Sequence, residues 1–302
     1  MSFFDTFGQM LVILFAIATG YFANKLGYFN EEINRKLTKV VLNISMPCMI
    51  LASVITGDDL PDIETLLSLC KMIVVFYGVG AVFLLALPRF LGGTAQQKGV
   101  WRYGLLFANT AFIGYPVIQA LFGPGAVFYG VVLNLPFNLM SYSLGPLMLG
   151  GRGRFSWKCL CTPALITSVI SLIIVLTRLQ TPTLPGEMVA FVGDLTVPLS
   201  LLILGSILAG MPVRQVFSMP RMWIFALIRL LVMPLVLLVL LRPMELGSAV
   251  YRVAVIEMAM PVAVNGAMLC MEYDGDIDCM AQTIFVSTML SMVTIPLIAM
   301  LL

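Results

Sequence analysis

Apolar runs of about twenty residues recur along the whole chain, and short polar segments separate them. A helix needs about twenty apolar residues to cross about 30 Å of hydrocarbon, whereas barrel strands alternate over about ten residues. The runs therefore predict an all-α membrane protein. The ten predicted transmembrane spans are residues 6–24, 37–56, 66–87, 100–122, 126–149, 163–179, 188–209, 222–241, 248–271 and 280–302.

The fourth and ninth spans carry helix-breaking residues in their interior, reading YGLLFANTAFIGYPVIQALFG and EMAMPVAVNGAMLC. Proline cannot donate a hydrogen bond to the carbonyl four residues back. We therefore expect the fourth helix to bend or break near Phe112 and Gly114, close to Pro116, and the ninth near Pro261. Unsatisfied backbone groups are costly in lipid, so such breaks must be packed in protein or face a wet cavity. Paired interrupted spans are typical of a transporter's substrate site.

The second half of the chain repeats the polar pattern of the first. LNISMPCMILAS aligns with GDLTVPLSLLILGS, which pairs Asn43 with Asp194 and Pro47 with Pro198. An odd number of spans in each half inserts the second half upside down, so the pattern predicts two inverted five-helix repeats. The repeats are residues 1–150 and 151–302.

Positive charges are distributed unevenly between the loops. With the first loop taken as cytoplasmic, one side carries twelve lysines and arginines and the other side carries three. The positive-inside rule then places both termini outside the cytoplasm. We expect a multi-pass protein of the inner or plasma membrane, in contact with the lipid bilayer.

Composition narrows the function classes further. The 302 residues are 60% hydrophobic and 11% charged, with a mean hydropathy of +1.03, whereas a soluble domain carries about 25% charged residues. The net charge is only +2 and histidine is absent, so nucleic-acid binding and an imidazole metal site have no support. We expect no cofactor.

Four short motifs together resemble one family. They are NTAFIGYP (109–116), GDLTVPLSLLILGSILAG (193–210), AMPVAVNGAM (259–268) and AQTIFVSTMLSMVTIPL (281–297). In this order the chain is similar to bacterial members of the auxin efflux carrier family, the malate- or malonate-permease-like transporters.

The resemblance implies ten helices in two inverted halves, with broken helices 4 and 9 crossing near the membrane centre. Spans 1, 2, 6 and 7 would form a scaffold, through which the protein forms a homodimer. Spans 3, 4, 5, 8, 9 and 10 would form a transport domain that moves in an elevator mechanism. The expected function is a secondary active transporter of small organic anions such as carboxylates, and not an enzyme.

The resemblance also assigns candidate substrate residues. Asn109 matches the family's amide beside the first crossover, and Asn134 matches an amide of the fifth span that contacts a substrate carboxylate. We expect both to donate to a carboxylate, with Thr110 and Asn265 assisting them. Asn138 lies four residues after Asn134 and is expected either to line the cavity or to bond to another helix. The crossing prolines Pro116 and Pro261 complete the predicted substrate site.

Three polar residues share one spacing. Asn43, Asp194 and Glu257 each lie four residues before a proline, so the carbonyl that the proline leaves free is the residue's own. An oxygen-rich site of this kind suits a coupling ion, sodium or a proton. The alternative is a proline kink with a structural hydrogen bond, which we favour for Asn43.

Arg229 is a basic residue within the eighth span. We expect it to neutralise Asp194 or Glu257, or else to bind a substrate carboxylate through both guanidinium nitrogens.

Two other function classes share features with this sequence. Intramembrane aspartyl proteases carry Tyr-Asp and Gly-x-Gly-Asp motifs; here Tyr273-Asp274 and Phe191-Val192-Gly193-Asp194 come in the wrong order, and the first glycine of the second motif is replaced by Phe191. A channel would use similar broken helices, but the sequence contains no carbonyl-rich filter motif.

Overall fold

The structure is a computed structural model that describes residues 3–55, 61–150, 162–179, 183–210, 220–244, 247–273 and 275–302. Within these ranges the chain is helical nearly throughout, and the β-type pairing is confined to one isolated bridge between Ala108 and Val262. The predicted all-α class is confirmed.

The described residues of the first half form eight α-helices, with short π- or 3₁₀-helical segments between some of them. They are α1 (Phe3–Lys25), α2 (Glu31–Val40), α3 (Met46–Ile55), α4 (Ile63–Leu91), α5 (Ala95–Leu106), α6 (Tyr115–Phe122), α7 (Val127–Leu133) and α8 (Leu135–Met148).

The described residues of the second half form another eight α-helices. They are α9 (Pro163–Thr177), α10 (Thr183–Gly193), α11 (Thr196–Gly210), α12 (Pro220–Leu227), α13 (Met233–Leu241), α14 (Ser248–Met258), α15 (Asn265–Glu272) and α16 (Ile277–Ala299).

Five helical runs in the described ranges are long and apolar enough to cross a membrane. Shorter apolar helices account for further predicted spans, because several of the ten spans are interrupted. The exact ten-helix inverted topology stays a prediction. The five long runs are Glu31–Ile55, Ile63–Leu91, Leu184–Gly210, Pro220–Met244 and Ile277–Ala299.

Widened helical turns precede three prolines. Each of these π-helical segments ends two residues before a proline, and in two of them the segment's first carbonyl accepts from an N–H five residues on. A wide turn changes the hydrogen-bond register where proline offers no N–H, so the helix bends and continues. The segments are Val41–Ser45, Thr110–Gly114 and Ile228–Val232, ahead of Pro47, Pro116 and Pro234.

The chain divides into two compact units. The first unit comprises Met1–Leu69, Ala111–Leu135 and Cys161–Met211. In it, α1 packs on α11 with backbones in close approach, because a Cβ at Gly20 would collide with the Leu202 carbonyl. Small residues at such contacts are typical of helix packing in membranes.

The second unit comprises Cys70–Thr110, Pro136–Leu160 and Pro212–Leu302. Its core is also closely packed around a glycine: a Cβ at Gly104 would lie 2.9 Å from the Phe225 ring and 3.0 Å from Val262. Val262 is fully buried. This packing holds α5 against the segment that follows α14.

The fourth span is interrupted earlier than the sequence predicts. Helix α5 ends at Leu106, Phe107 takes an extended conformation (φ −113°, ψ 104°), and helix resumes at Thr110. Near Phe112 and Gly114, where a bend or break was expected, the structure has the widened turn Thr110–Gly114, and the break itself lies earlier in the span. Pro116 lies at the second position of α6, directly after the widened turn Thr110–Gly114 that shifts the hydrogen-bond register ahead of it.

The ninth span is interrupted as predicted. Helix α14 ends at Met258 and α15 begins at Asn265, so Pro261 lies inside a six-residue break. The carbonyl of Glu257, which the proline was expected to leave free, instead accepts from the Met260 N–H at 3.2 Å.

The seventh span is also kinked, but not at its proline. Asp194 and Leu195 form a turn between α10 and α11, and Pro198 lies in the first turn of α11. A proline in a first helical turn removes no intrahelical bond.

Candidate functional site at the paired helix breaks

The breaks in the fourth and ninth spans pair with each other within the second unit. The Asn109 N–H donates to the Pro261 carbonyl at 2.7 Å, and the Ala263 N–H donates to the Phe107 carbonyl at 3.1 Å. Ala108 and Val262 form the antiparallel bridge between these two bonds. Each break thereby supplies hydrogen-bond partners to backbone groups of the other break. Lipid hydrocarbon offers no such partners.

A hydroxyl from α16 satisfies another group of the ninth-span break. The Ser287 Oγ accepts from the Val262 N–H at 3.1 Å, while it donates to the Ile284 carbonyl of its own helix at 3.0 Å. Ser287 is fully buried. This bond ties α16 to the break.

Arg229 satisfies carbonyls at both breaks. Its Nε donates to the Gly104 carbonyl at 3.0 Å, and its Nη1 donates to the Met258 carbonyl at 2.6 Å. The side chain is 1% exposed. The predicted ion pair of Arg229 with Glu257 is absent: the printed bonds of the guanidinium go to main-chain carbonyls and to the Met258 sulfur, and the Glu257 oxygens have no hydrogen-bond partner.

Asn109 is the predicted substrate residue that the structure leaves with an unused donor. It is 5% exposed, and its Nδ2 has no hydrogen-bond partner among the described residues. A buried amide donor without a hydrogen-bond partner lowers the stability of the folded protein by about 1–3 kcal/mol. Its neighbour Thr110 is also buried. These two residues connect the fourth-span break to the helix that follows it.

Asn265 belongs to a polar cluster at the start of α15. Tyr103 Oη donates to Asn265 Oδ1 at 2.9 Å, and Asn265 Nδ2 donates to Ser141 Oγ at 3.3 Å. Ser141 Oγ lies 3.2 Å from Tyr103 Oη and donates to it when the phenol proton is used toward Asn265. The cluster fixes the orientation of Asn265 beside the ninth-span break.

Glu257 lies one residue before the end of α14 and is fully buried. Neither carboxylate oxygen has a hydrogen-bond partner in the described part of the chain. An ionised carboxylate in this position is expensive without a cation. The geometry therefore provides a buried acid that a proton or a cation would neutralise.

The other two predicted ion-coupling residues have different surroundings. Asn43 is exposed, and its Nδ2 donates to the Lys39 carbonyl at 2.9 Å, the structural bond favoured from the sequence. Asp194 is exposed at the kink between α10 and α11. Both residues belong to the first unit, whereas Glu257 belongs to the second.

The first unit also holds two of the predicted substrate residues. Asn134 is buried at the C-terminal end of α7, where its Nδ2 donates to Tyr115 Oη at 3.1 Å. Pro116 is buried in the first turn of α6. The side chain of Asn138 lies outside the described residues, as does Asp274 of the protease-like motif.

Comparison with known proteins identifies the family. The family of membrane transport proteins matches residues 5–156 and 152–299. The chain belongs to this family. The resemblance to the auxin efflux carriers is thereby confirmed at family level.

Relatives share the full length of the chain. It is 28% identical over 305 residues to an uncharacterized transporter of Methanothermobacter thermautotrophicus, with 98% of both chains covered. It is 27% identical to an uncharacterized transporter of Methanocaldococcus jannaschii, covering 95% of this chain and 96% of the relative. The uncharacterized transporter YfdV of Escherichia coli is 22% identical, with 96% and 95% covered.

Membership in this family decides between the function classes. The protein is a multi-pass membrane transport protein, and the intramembrane protease and the channel are not favoured. The protease reading also has no support in the structure, because Asp194 of its second motif is exposed at a helix kink.

Sequence reasoning missed Tyr103, Ser141 and Ser287 as parts of the site. In the sequence these three residues are marked only by a phenol or a hydroxyl within an apolar span. Such side chains are too common in membrane helices to identify a site residue. It also missed the role of Arg229, because an arginine in a span suggests an acidic partner before it suggests two carbonyls.

Proposed function

We propose that this membrane transport protein is a secondary transporter of small organic anions, and that the anion binds beside the paired breaks. The observation that carries the proposal is the unpartnered Nδ2 of Asn109, a buried donor next to a helix break. A carboxylate oxygen would complete this donor with a charge-assisted hydrogen bond.

Backbone dipoles at the breaks support an anion as the substrate. A helical run starts at Thr110 directly after the fourth-span break, and α15 starts at Asn265 directly after the ninth-span break. The Gly266 and Ala267 N–H groups donate to the Ala263 and Val264 carbonyls, so α15 contributes its dipole and not free donors. Helix N-termini carry partial positive charge and stabilise carboxylates. Asn265 adds an amide held by Tyr103 and Ser141. We propose Asn109 as the main donor, with Thr110 and Asn265 assisting.

We propose that Glu257 couples the anion to a cation. It is a fully buried acid with no partner in the described residues, two positions before the ninth-span break. A charge crossing the membrane gains or loses about 2.3 kcal/mol per 100 mV. A proton or sodium ion carried with the anion offsets the electrical free energy of moving the anion's charge across the membrane. It thereby changes the direction in which transport can run. Asp194 is the weaker candidate because it is exposed.

The remaining features of the proposal come from the family resemblance. They are the ten-helix inverted repeat, the elevator movement of a transport domain against a scaffold, and a homodimer formed through that scaffold. Asn134, Pro116 and Asn138 remain candidates for substrate contact on the same basis.

Transport in proteoliposomes tests the proposal. The purified protein is reconstituted, and counterflow of labelled monocarboxylates and dicarboxylates is measured with sodium and proton gradients imposed separately. We expect counterflow of at least one carboxylate and its acceleration by one of the two gradients. Absence of counterflow for every acid in the panel would contradict the proposed function.

A further inference from the structure

The second and seventh spans pack on each other in the first unit. A Cβ at Gly193, the last residue of α10, would lie 2.8 Å from the Met49 Cα of α3. Helix α10 packs on α3, while α11 packs on α2 and on the π-helical segment Val41–Ser45. The later part of each span therefore lies against the earlier part of the other, so the two spans run antiparallel through this contact.

Three hydroxyl side chains lie along this contact. Thr196 follows Gly193 by three residues, and Ser200 lies one helical turn beyond Thr196. Ser45 precedes Met49 by four residues. Steps of three or four residues stay on one helix face, and because the spans are antiparallel both steps lead in the same direction. This register places the three hydroxyls on one shared stretch of the contact, and all three are fully buried.

These three hydroxyls differ from the other buried hydroxyls of the first unit. A serine in a helix ordinarily bonds to a carbonyl three or four residues back. The Oγ atoms of Ser45 and Ser200 and the Oγ1 of Thr196 have no hydrogen-bond partner among the described residues. The other buried serines of the unit each take part in a hydrogen bond; they are Ser53, Ser168, Ser171 and Ser206.

Two backbone carbonyls in the same stretch lose their usual helical donors. The Leu42 carbonyl would ordinarily accept from the Met46 N–H, which donates to the Val41 carbonyl instead. The Asp194 carbonyl would ordinarily accept from the residue four positions on, but that residue is Pro198, which has no N–H. Each span thus adds a backbone acceptor within three residues of a buried, unpartnered hydroxyl.

Oxygen atoms of this kind suit a monovalent cation. Hydroxyl and carbonyl oxygens are ligands of hard cations, and interrupted membrane helices coordinate sodium through such groups. Asp194 places a carboxylate two residues before Thr196, and this negative charge favours a cation over a water molecule in the hydroxyl cluster. Calcium sites use carboxylates as direct ligands, whereas the three buried side chains here are neutral.

We propose that an alkali-metal cation, sodium or potassium, binds between the second and seventh spans, held by the hydroxyls of Ser45, Thr196 and Ser200. The bound ion gives these oxygens the partner that lipid hydrocarbon does not offer, and it thereby stabilises both interrupted spans. The site lies in the first unit, whereas Glu257 lies in the second. It goes beyond the proposed transport function and does not depend on it.

Thermal unfolding of the full-length purified protein tests the site. The melting temperature is measured in sodium chloride, in potassium chloride and in choline chloride of the same ionic strength. We expect the wild-type protein to melt about 3 °C higher in at least one alkali salt than in choline chloride, because the ion binds only the folded protein. Glu257→Gln is expected to keep this difference.

Thr196→Val and Ser45→Ala each remove one hydroxyl oxygen of the site. We expect both variants to lose most of the difference between the alkali salt and choline chloride. Ser171→Ala is the matched control, because Ser171 is a buried serine of the same unit whose Oγ donates to the Ile50 carbonyl. We expect this control to melt at a lower temperature and to keep the full salt difference.

Three results would overturn the inference. The first is wild-type protein that melts at the same temperature in all three salts. The second is a salt difference that persists in both Thr196→Val and Ser45→Ala, which would show that these hydroxyls hold only water. The third is a difference that disappears in Glu257→Gln, which would place the ion in the second unit. If neither hydroxyl variant folds, Ser200→Ala decides by the same comparison.

Discussion

Single buried polar groups without partners carry the functional argument. In the second unit these groups include the Nδ2 of Asn109 and both carboxylate oxygens of Glu257, which flank the two breaks, while others lie on Trp101, Gln282, Thr288 and Thr294. Folded proteins pair nearly all such groups, so an unpaired one near a helix break marks a place where a ligand completes the bonding. The amide suits an anion and the carboxyl suits a cation.

Replacing Asn109 by Ala is expected to weaken carboxylate binding by about 1.5–3 kcal/mol, because a charge-assisted hydrogen bond is lost. Binding is measured by calorimetry on the folded variant. Asn24→Ala is the control: Asn24 donates to Ser206 in the first unit, so its loss is expected to lower thermal stability and leave affinity unchanged. Unchanged affinity in folded Asn109→Ala would remove Asn109 from the site.

Replacing Glu257 by Gln is expected to abolish the dependence of uptake on the cation gradient while leaving the protein folded. The amide has nearly the shape of the acid but has no negative charge and takes up no proton, so it cannot neutralise a cation that moves with the anion. Uptake under sodium and proton gradients is measured together with the melting temperature. Asp194→Asn is the comparison, and the exposure of Asp194 predicts unaltered coupling. Coupling that persists in Glu257→Gln places the ion elsewhere.

At the scale of elements, the two broken spans are stabilised by groups that other helices contribute. Arg229 supplies donors to the last turns of α5 and α14, and Ser287 on α16 supplies an acceptor to the ninth-span break. A break at membrane depth is stable only when such partners are present. The breaks therefore depend on tertiary packing as much as on their own residues.

Ser287→Ala and Ser291→Ala form a matched pair on α16. Each serine donates to the carbonyl three residues earlier, but only Ser287 also accepts from the Val262 N–H among the described contacts. Ser287→Ala leaves that buried N–H unsatisfied, so we expect a loss of about 1–3 kcal/mol in stability, and less than about 1 kcal/mol for Ser291→Ala. Thermal unfolding of both variants measures it. Equal losses would show that the Val262 bond contributes nothing.

At the scale of the whole molecule, the orientation in the membrane follows from the loop charges. Twelve lysines and arginines lie on one predicted side and three on the other. We expect both termini outside the cytoplasm. Alkaline phosphatase fused after Leu302 should be active in intact cells, and green fluorescent protein at the same position should not fluoresce. A fluorescent fusion with inactive phosphatase would reverse the predicted orientation.

Much of the architecture could be predicted from the sequence, because a bilayer restricts a spanning chain to helices. The apolar runs predicted an all-helical membrane protein, and the proline in the ninth span marked a real interruption, since proline cannot continue the helical bonding. Four motifs identified the family. These inferences depend on local residue composition and on the backbone restrictions that proline imposes. Both can be read directly from the sequence.

The position of the first break and the bonding of the charged residues were decided by the tertiary structure. Pro116 is accommodated by a wide turn and a helix start, while the break lies at Phe107–Asn109, where Ala108 can pair with Val262. Arg229 bonds to two carbonyls that become free only because both helices end beside it. These two hydrogen bonds join Arg229 to residues that lie 125 and 29 positions away in the sequence. They form only because the packing brings both helix ends beside Arg229. That is why the sequence determined the membrane class and the existence of interrupted spans, and the fold alone determined how their backbone groups are satisfied.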